Sequence, residues 1–461
     1  MSAAVNCTQY QDRNEMLIED RPGEGTFTVD RSVFTDEDHC RRELTAVFES
    51  GWVFIGLESQ LRQKNSFFTT HIGRQPVLVT RDDQGKLGCF LNSCRHRGTI
   101  LCPFKQGRQK YHVCRYHGWS YDSAGRNVLV TDKDSGQYPA AFDQSDHGLI
   151  PVARLGSYRG LLFASLSADV PDLDSHLGDA RRFIDLLVDQ SPVGEIEFVP
   201  GDLVYTFQGN WKLQFENGLD YYHFQSTHSS YVDILAERVK AGTVEDVVLG
   251  TDEPGQGSFS FTNGHAVNWS IHHAVNWSIH NEDRFGRPVL MEPGGLDGLR
   301  ERVGATSAKW MVRQRNLTIF PNLQIIDIGA AQIRTWRPLA AGLTEMTSHC
   351  VGMVGESGEA RRKRIRNYED FFNPSGLATS DDNVMYELCQ SGYAAAAAGP
   401  SEGYLRGMGA ALDRAQPHAD ELGINPVESS FGSLGFGGET NFHPGYRELV
   451  RRLADAAGGK N

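Results

Sequence analysis

The sequence predicts an α+β protein in which a small all-β module is inserted into a larger mixed domain. Three observations carry that prediction. From Gly51 to about Ser165, short apolar stretches alternate with Asp, Gly and Asn, the punctuation of strands joined by tight turns. After "SADVPDL" the pattern changes, and "HLGDARRFIDLLVD", 176 to 189, has the period of an amphipathic helix. Beyond it, strand-like segments alternate with helix-like ones, the mixed order of an α+β domain. The boundaries read as 1–49 for the first part of the larger domain, 50–165 for the module and 166–461 for the rest.

Taken in order, "GWVFIGL", "PVLVTRDDQGKLGCFLN", "WSYDSAGRNVLV" and "YRGLLFASL" supply the strands of the module. In the larger part, "GDLVYTFQGNW", "RNLTIFPNLQIIDIG" and "AQIRTWRPL" read as strands, and the stretches around Glu216 to His228 and Ala360 to Phe372 as helices. "HAVNWSIHHAVNWSIH" is a perfect tandem octapeptide, 265–272 repeated as 273–280. Eight is even, so the insertion keeps downstream residues of a strand on the same face. A duplicated strand and loop is preferred here to a histidine metal tract. Ala394 to Ala398 suit a helix end that Gly399 and Pro400 then stop.

Composition narrows the class. With 461 residues, 39% hydrophobic and 22% charged, the chain has the make-up of a soluble globular protein. No apolar run approaches the roughly 18 residues that a membrane span needs. The N-terminal stretch lacks the basic start and apolar core of a signal peptide; a cytoplasmic location is expected. A net charge of −13 argues against non-specific nucleic-acid binding. The local exception, "RRKRIR" at 361–366, reads as a solvated helix face, with a docking patch for an acidic protein as the second reading. Eight cysteines show no disulfide framework.

The chemistry concentrates first in "CRHRGTILCPFKQGRQKYHVCRYHGW", 94 to 119. Its ligand-type residues pair as Cys94-x-His96 and Cys114-x-x-His117. A structural zinc also takes two Cys and two His, but zinc modules usually keep like ligands together. Here each loop offers one thiolate and one imidazole, which suits a [2Fe–2S] cluster of the Rieske arrangement, both Cys on one iron and both His on the other. Gly98 and Gly118 follow where each loop must turn tightly and aim backbone N–H groups at the sulfurs.

A second constellation lies in "NWKLQFENGLDYYHFQSTH", 210 to 228. Asp220 and His223, three apart, share a helix face. His223 and His228, five apart, would diverge by about 140° on an ideal helix, so their convergence on one metal requires a π-bulge or a break. Two imidazoles and a carboxylate on one face of an iron leave positions for dioxygen. The third ligand has to come from elsewhere, since Asp220 is better used in support of His223. "GLATSDDNVMYE" offers Asp381 and Asp382; either could cap the helix at "NVMYE", the preferred reading for Asp381.

With both motifs in view, the chain resembles from end to end the large (α) subunit of Rieske non-haem iron aromatic-ring-hydroxylating dioxygenases. "GRQPVLVTRDDQGKL", "GNWKLQFENGLDYYH" and "VGESGEARRKRIRNYEDFFNPSG" are most similar to the benzoate, toluate and anthranilate 1,2-dioxygenase branch. The resemblance implies a Rieske module inserted in a helix-grip catalytic domain with a curved antiparallel sheet. It implies one [2Fe–2S] cluster per subunit on Cys94, His96, Cys114 and His117, and one Fe²⁺ on His223, His228 and Asp382. Asp220 matches the carboxylate that links the two centres, and Asn217 and Tyr222 match residues lining the iron site. Respiratory Rieske proteins add a clamping disulfide at the positions of Thr99 and Tyr116. The implied partners are a small β subunit, as α3β3 or with α3 as the alternative, an NADH-dependent flavin and iron–sulfur reductase, O₂ and an aromatic acid.

The activity implied is cis-dihydroxylation of an aromatic carboxylate. Phenoxyacetates, anilines and salicylates, with monooxygenation or dealkylation, are the alternatives, because Phe224 and Gln225 depart from the small or β-branched residues of the benzoate group. A carboxylate substrate needs a cationic partner, for which Arg315, Arg334 and Arg337 are candidates. From another class, a zinc-stapled binding protein or a pure Rieske electron carrier would share the first motif.

Overall fold

The computed structural model describes residues 17–241, 255–273, 287–432 and 437–458. The chain divides into two compact units, Phe48–Ser175 with Glu195–Phe198, and the remainder. The module therefore runs past Ser165 to Ser175. The reason is local: Trp52 Nε1 donates to Pro171 O at 2.9 Å, Arg154 Nε donates to Ala168 O at 3.2 Å, and Leu173 fills the space that a side chain at Gly156 would take.

The smaller unit is built of short antiparallel sheets. Strands β1 (Val53–Leu57), β2 (Ser66–Ile72), β3 (Gln75–Arg81), β4 (Leu87–Leu91), β5 (Gln106–Arg108), β6 (Tyr111–Val113), β7 (Ser120–Asp122), β8 (Asn127–Leu129), β9 (Arg154–Tyr158) and β10 (Leu161–Ser165) pair as β4-β3-β2-β5, β8-β7-β6 and β9-β10-β1. Two loops, β4–β5 and β6–β7, carry the cysteine–histidine pairs. Beneath them Phe67, Leu78, Leu101, Trp119, Tyr121 and Leu149 form one buried cluster that fixes both loops to a common floor.

In the larger unit, β11 (Leu203–Phe207), β12 (Gln256–Ser260), β13 (Ala266–His273), β14 (Arg313–Ile319), β15 (Leu323–Asp327), β16 (Ala331–Ala340), β17 (Leu343–Met353) and β18 (Glu428–Gly432) form an antiparallel sheet in spatial order β17-β16-β15-β14-β13-β12-β18, with β11 also on β17. The first octapeptide copy makes β13; the second, beyond His273, lies outside the described residues.

Register places Ser258, Asn268, Asn316, Ile326, Gln332 and Cys350 opposite one another across successive strands. The row beside it runs Thr318, Gln324, Arg334, Ser348. Side chains two apart share a face, so one buried face of this sheet is polar. Against it pack α1 (Trp211–Asn217), α2 (Phe224–Thr227), α3 (Ser229–Lys240), α4 (Gly358–Asn367) and α5 (Thr379–Tyr393), as Gln214 Nε2 to Gln324 Oε1 at 3.1 Å and Ser348 Oγ to Tyr368 OH at 2.9 Å show. Approach is closest at Gly218, where a Cβ would lie 1.2 Å from Gln324 Nε2.

The basic run on α4 is only in part the solvated face expected, with Arg362 and Arg366 exposed. Lys363 and Arg364 are buried, and Arg364 Nε reaches Glu356 Oε2 at 3.0 Å, because α4 lays this side onto the domain. No helix among the described residues is long and apolar enough to cross a membrane.

Candidate metal centres

The two loops of the smaller unit repeat one backbone pattern. Cys94 N donates to Thr99 O at 2.8 Å and Gly98 N to Cys94 O at 2.9 Å; Cys114 N donates to Trp119 O at 2.8 Å and Gly118 N to Cys114 O at 2.9 Å. Both turns need positive φ, +72° at Gly98 and +75° at Gly118, which glycine adopts without steric cost. At Gly118 a Cβ would also lie 2.6 Å from Thr131 Oγ1.

The result buries both cysteines and leaves the imidazoles toward the surface, with His96 Nδ1 and His117 Nδ1 opposed at 3.1 Å. Two sulfurs and two Nδ1 atoms, delivered by matched loops, fit a [2Fe–2S] group. Tyr121 OH accepts from Arg95 N at 3.0 Å and lies 3.4 Å from Cys94 Sγ, and burial raises its pKa, so it remains a donor to the sulfur. The Trp119 indole stacks on His96, ring centroids 5.0 Å apart. In place of a clamping disulfide, Arg97 Nη1 donates to Tyr116 OH at 3.3 Å across the loops, a link with no signature in sequence.

In the larger unit, the ligand atoms of His223, His228 and Asp382 all lie within 4.8 Å of one another. The expected break between the histidines is present: α2 ends at Thr227, and His228 leaves the helical region at φ −103°, ψ 36° before α3 begins. Both Nε2 atoms face Asp382 Oδ1, at 3.5 Å from His223 and 3.3 Å from His228. Each Nδ1 faces another carboxylate, Asp220 Oδ2 at 3.1 Å for His223 and Asp381 Oδ2 at 3.4 Å for His228. A proton held on Nδ1 leaves the Nε2 lone pair free. Two imidazole nitrogens and one carboxylate are a donor set that suits ferrous iron.

Asp381 is therefore not a helix cap. The helix starts at Thr379, which places Asp381 in its first turn with the carboxylate turned to His228. Asn217 Nδ2 donates to Asp382 Oδ1 at 3.1 Å, so it belongs to the group. Tyr222 does not contribute its ring: the side chain is half exposed under Arg406, and what reaches the site is its N–H, bonded to Asp220 Oδ1 at 2.6 Å.

Burial lowers the proton affinity of His223, but the hydrogen bond and charge of Asp220, then Asp382, more than reverse that and hold its pKa above the ordinary value. Burial pushes Asp382 upward; the His228 contact and the charges of His223, His228 and Arg334 outweigh it and hold the carboxyl below its ordinary range. Beside the three ligand-type residues lies an aromatic wall. Phe224 is 5.6 Å and Phe371 6.1 Å from the His228 ring, and both belong to a cluster with Tyr231 and Phe372. A small pocket is lined by Tyr221, Ser258, Asn268 and Ser430 among others.

Paired thiolate–imidazole loops in one unit and a two-histidine, one-carboxylate site in the other define a class, an oxygenase that joins a Rieske centre to a mononuclear iron. Residues 51–152 match the Rieske [2Fe-2S] domain, and residues 198–417 match the ring hydroxylating alpha subunit (catalytic domain). The chain is 38% identical over 418 residues to toluate 1,2-dioxygenase subunit alpha of Pseudomonas putida, covering 89% of this chain and 88% of that protein. It is 40% identical over 402 residues to anthranilate 1,2-dioxygenase large subunit of Acinetobacter baylyi, covering 85% and 82%. A naphthalene 1,2-dioxygenase structure with indole in its active site superposes at a TM-score of 0.78 and 23% identity, covering 96% of this chain and 94% of that one, and so shares the fold. The chain belongs to the ring-hydroxylating dioxygenase alpha-subunit family, an enzyme with a Rieske [2Fe–2S] cluster and a mononuclear iron.

Proposed function

We propose that this subunit is the terminal oxygenase that adds both atoms of O₂ to adjacent ring carbons of an aromatic acid of the benzoate or anthranilate type, giving a cis-dihydrodiol. The reaction takes up two electrons and two protons per O₂, with NADH as the ultimate donor. The single observation that carries the reading is the convergence of His223, His228 and Asp382 beside the wall formed by Phe224, Phe371 and Phe372. The named acids of the toluate and anthranilate relatives support the substrate class.

In this reading Cys94 and Cys114 hold one iron of the cluster and His96 and His117 the other. When bound, the cluster delivers electrons singly, and ferrous iron supplies the site at which O₂ meets the ring. Asp220 and Asp381 keep the two imidazoles in the ligating tautomer, Asn217 steadies Asp382, and the phenylalanines exclude water and present a flat apolar surface. Asp220 also accepts from a cluster histidine of a neighbouring subunit in a head-to-tail trimer. Exposed Ile100, Phe104 and Tyr116 around the imidazoles suit an oligomeric contact of that kind. A small β subunit in an α3β3 assembly, with α3 as the alternative, an NADH-dependent reductase and a cytoplasmic setting complete the proposal.

The test is turnover of the iron-loaded oxygenase with reductase and NADH on benzoate, anthranilate, salicylate, aniline and phenoxyacetate, with products identified. A cis-dihydrodiol carrying two atoms of ¹⁸O from ¹⁸O₂ is expected from an aromatic acid. Products containing one such atom, or turnover of aniline or phenoxyacetate alone, would overturn the assignment.

A further inference from the structure

Several buried cations of the larger unit are bound to carboxylates, while buried Arg313 lies over the Trp310 ring at 4.4 Å. Lys212 Nζ lies 2.7 Å from Glu43, Arg364 Nε lies 3.0 Å from Glu356, and Arg287 and Arg315 share Asp327. Half-buried Arg337 is held by Glu345 at 3.0 Å. Arg334 differs. It is only 3% exposed, yet among the described residues no carboxylate forms an ion pair with it. Among the described residues its hydrogen bonds leave from Nη2, to Thr379 Oγ1 at 2.7 Å and Phe372 O at 3.3 Å, and its Nε has no partner. A buried guanidinium with unused N–H groups is costly unless something else pairs with it.

Its position indicates what that is. Arg334 lies on the polar face of the sheet, with Gln332 two residues before it on the same side, and the Gln332 Nε2 is likewise buried without a partner. The residues Arg334 touches, Phe372 and Thr379, lead directly to the aromatic wall and to Asp382. Thr379, which Arg334 holds, stands one turn before Asp382 on α5.

We propose that Arg334, assisted by Gln332, binds the carboxylate of the aromatic substrate and so selects acids over neutral rings. The inference rests on the function proposed above. A planar guanidinium matches a carboxylate through parallel N–H groups, and a bound carboxylate would satisfy the two orphaned donors.

The experiment compares wild type, Arg334→Gln, Arg334→Lys and Gln332→Ala as iron-loaded oxygenase, with iron content and the cluster spectrum as controls. Calorimetric affinity, KM and kcat are measured for benzoate and for its neutral analogue benzamide. Arg334→Gln is expected to weaken benzoate binding and raise its KM by about 30- to 100-fold, the range of a charge-assisted hydrogen bond, while benzamide changes by less than about threefold. Arg334→Lys should recover part of the loss, and Gln332→Ala should cost about fivefold for the acid alone. Equal losses for both compounds, or intact benzoate affinity in Arg334→Gln, would overturn the assignment. Should Arg334→Gln lose iron, Gln332→Ala and benzoate calorimetry decide between the same two outcomes. If the wild type neither binds nor oxidises benzoate but oxidises another ring, the proposed substrate class fails, and the failure is visible before any variant is compared.

Discussion

Asp381 Oδ2 stands 3.4 Å from His228 Nδ1, the counterpart of the Asp220–His223 contact at 3.1 Å, so each imidazole of the candidate iron site is held from behind by its own carboxylate. Removing such a partner typically weakens metal binding about 10- to 100-fold, whereas removing a ligand abolishes it. Asp381→Ala is therefore expected to bind ferrous iron about tenfold more weakly and Asp382→Ala not to retain it, with the cluster spectrum intact in both. Iron titration against a chelator reads the difference; the opposite ranking would make Asp381 the ligand.

Cys114→Ser should lose the Rieske optical and EPR signals while iron still loads at His223 and His228. The thiolate and the three-residue site lie in separate units, each with its own core. A purified variant that kept the full cluster spectrum would remove Cys114 from the ligand set.

If Asp220 links centres of neighbouring subunits, two inactive variants should complement each other. Cys94→Ser and His223→Ala, each dead alone, are expected to regain part of the activity when co-expressed, because some contacts in a closed ring then pair an intact cluster with an intact iron. Verified mixed oligomers without turnover would place electron transfer elsewhere.

Glu216 is half-buried and accepts from Tyr404 OH at 2.8 Å and from Tyr446 OH, with Asp220 and Lys212 as the nearby charges. Desolvation pushes its pKa from 4.5 up to about 7. The folded state thus holds this proton more tightly than the unfolded chain. Its stabilising contribution is full below pH 4.5 and is lost as pH rises toward 7. Glu216→Gln should remove that decline and gain stability over wild type at pH 8, with an upper bound of about 3 kcal/mol. Denaturant midpoints at pH 5 and pH 8 check the sign; a larger gain at pH 5 would refute it.

Gly218→Ala should destabilise by about 1–3 kcal/mol, the usual cost of overpacking. The backbone there is ordinary, so the cost is the collision with Gln324, and Gln324→Ala should relieve part of it. Thermal melts of the single and double variants separate this steric account from a conformational one.

Much of the molecule was legible in the chain because its chemistry is local. Cys94-x-His96 and Cys114-x-x-His117, each with a glycine after the histidine, specify two turns whose ligands must point one way, and a five-residue spacing between His223 and His228 dictates a broken helix. Residue type and spacing decide such things before any long-range contact forms. The smaller compact unit also takes in residues 166–175, because Trp52 and Arg154 hold that segment through contacts made across a hundred residues or folded back without periodicity.

Tertiary structure alone decided how the remaining charges and polar groups are used. "TSDD" reads equally well as a cap; only the packing of α5 against the His228 turn directs Asp381 to an imidazole and Asp382 to the ligand position. Arg315, Arg334 and Arg337 look alike in sequence. Strand register gives the first to Asp327 and the third to Glu345, and leaves the second buried on the polar face with no carboxylate partner among the described residues, since such a partner is chosen by distance in three dimensions and residue identity carries no record of it.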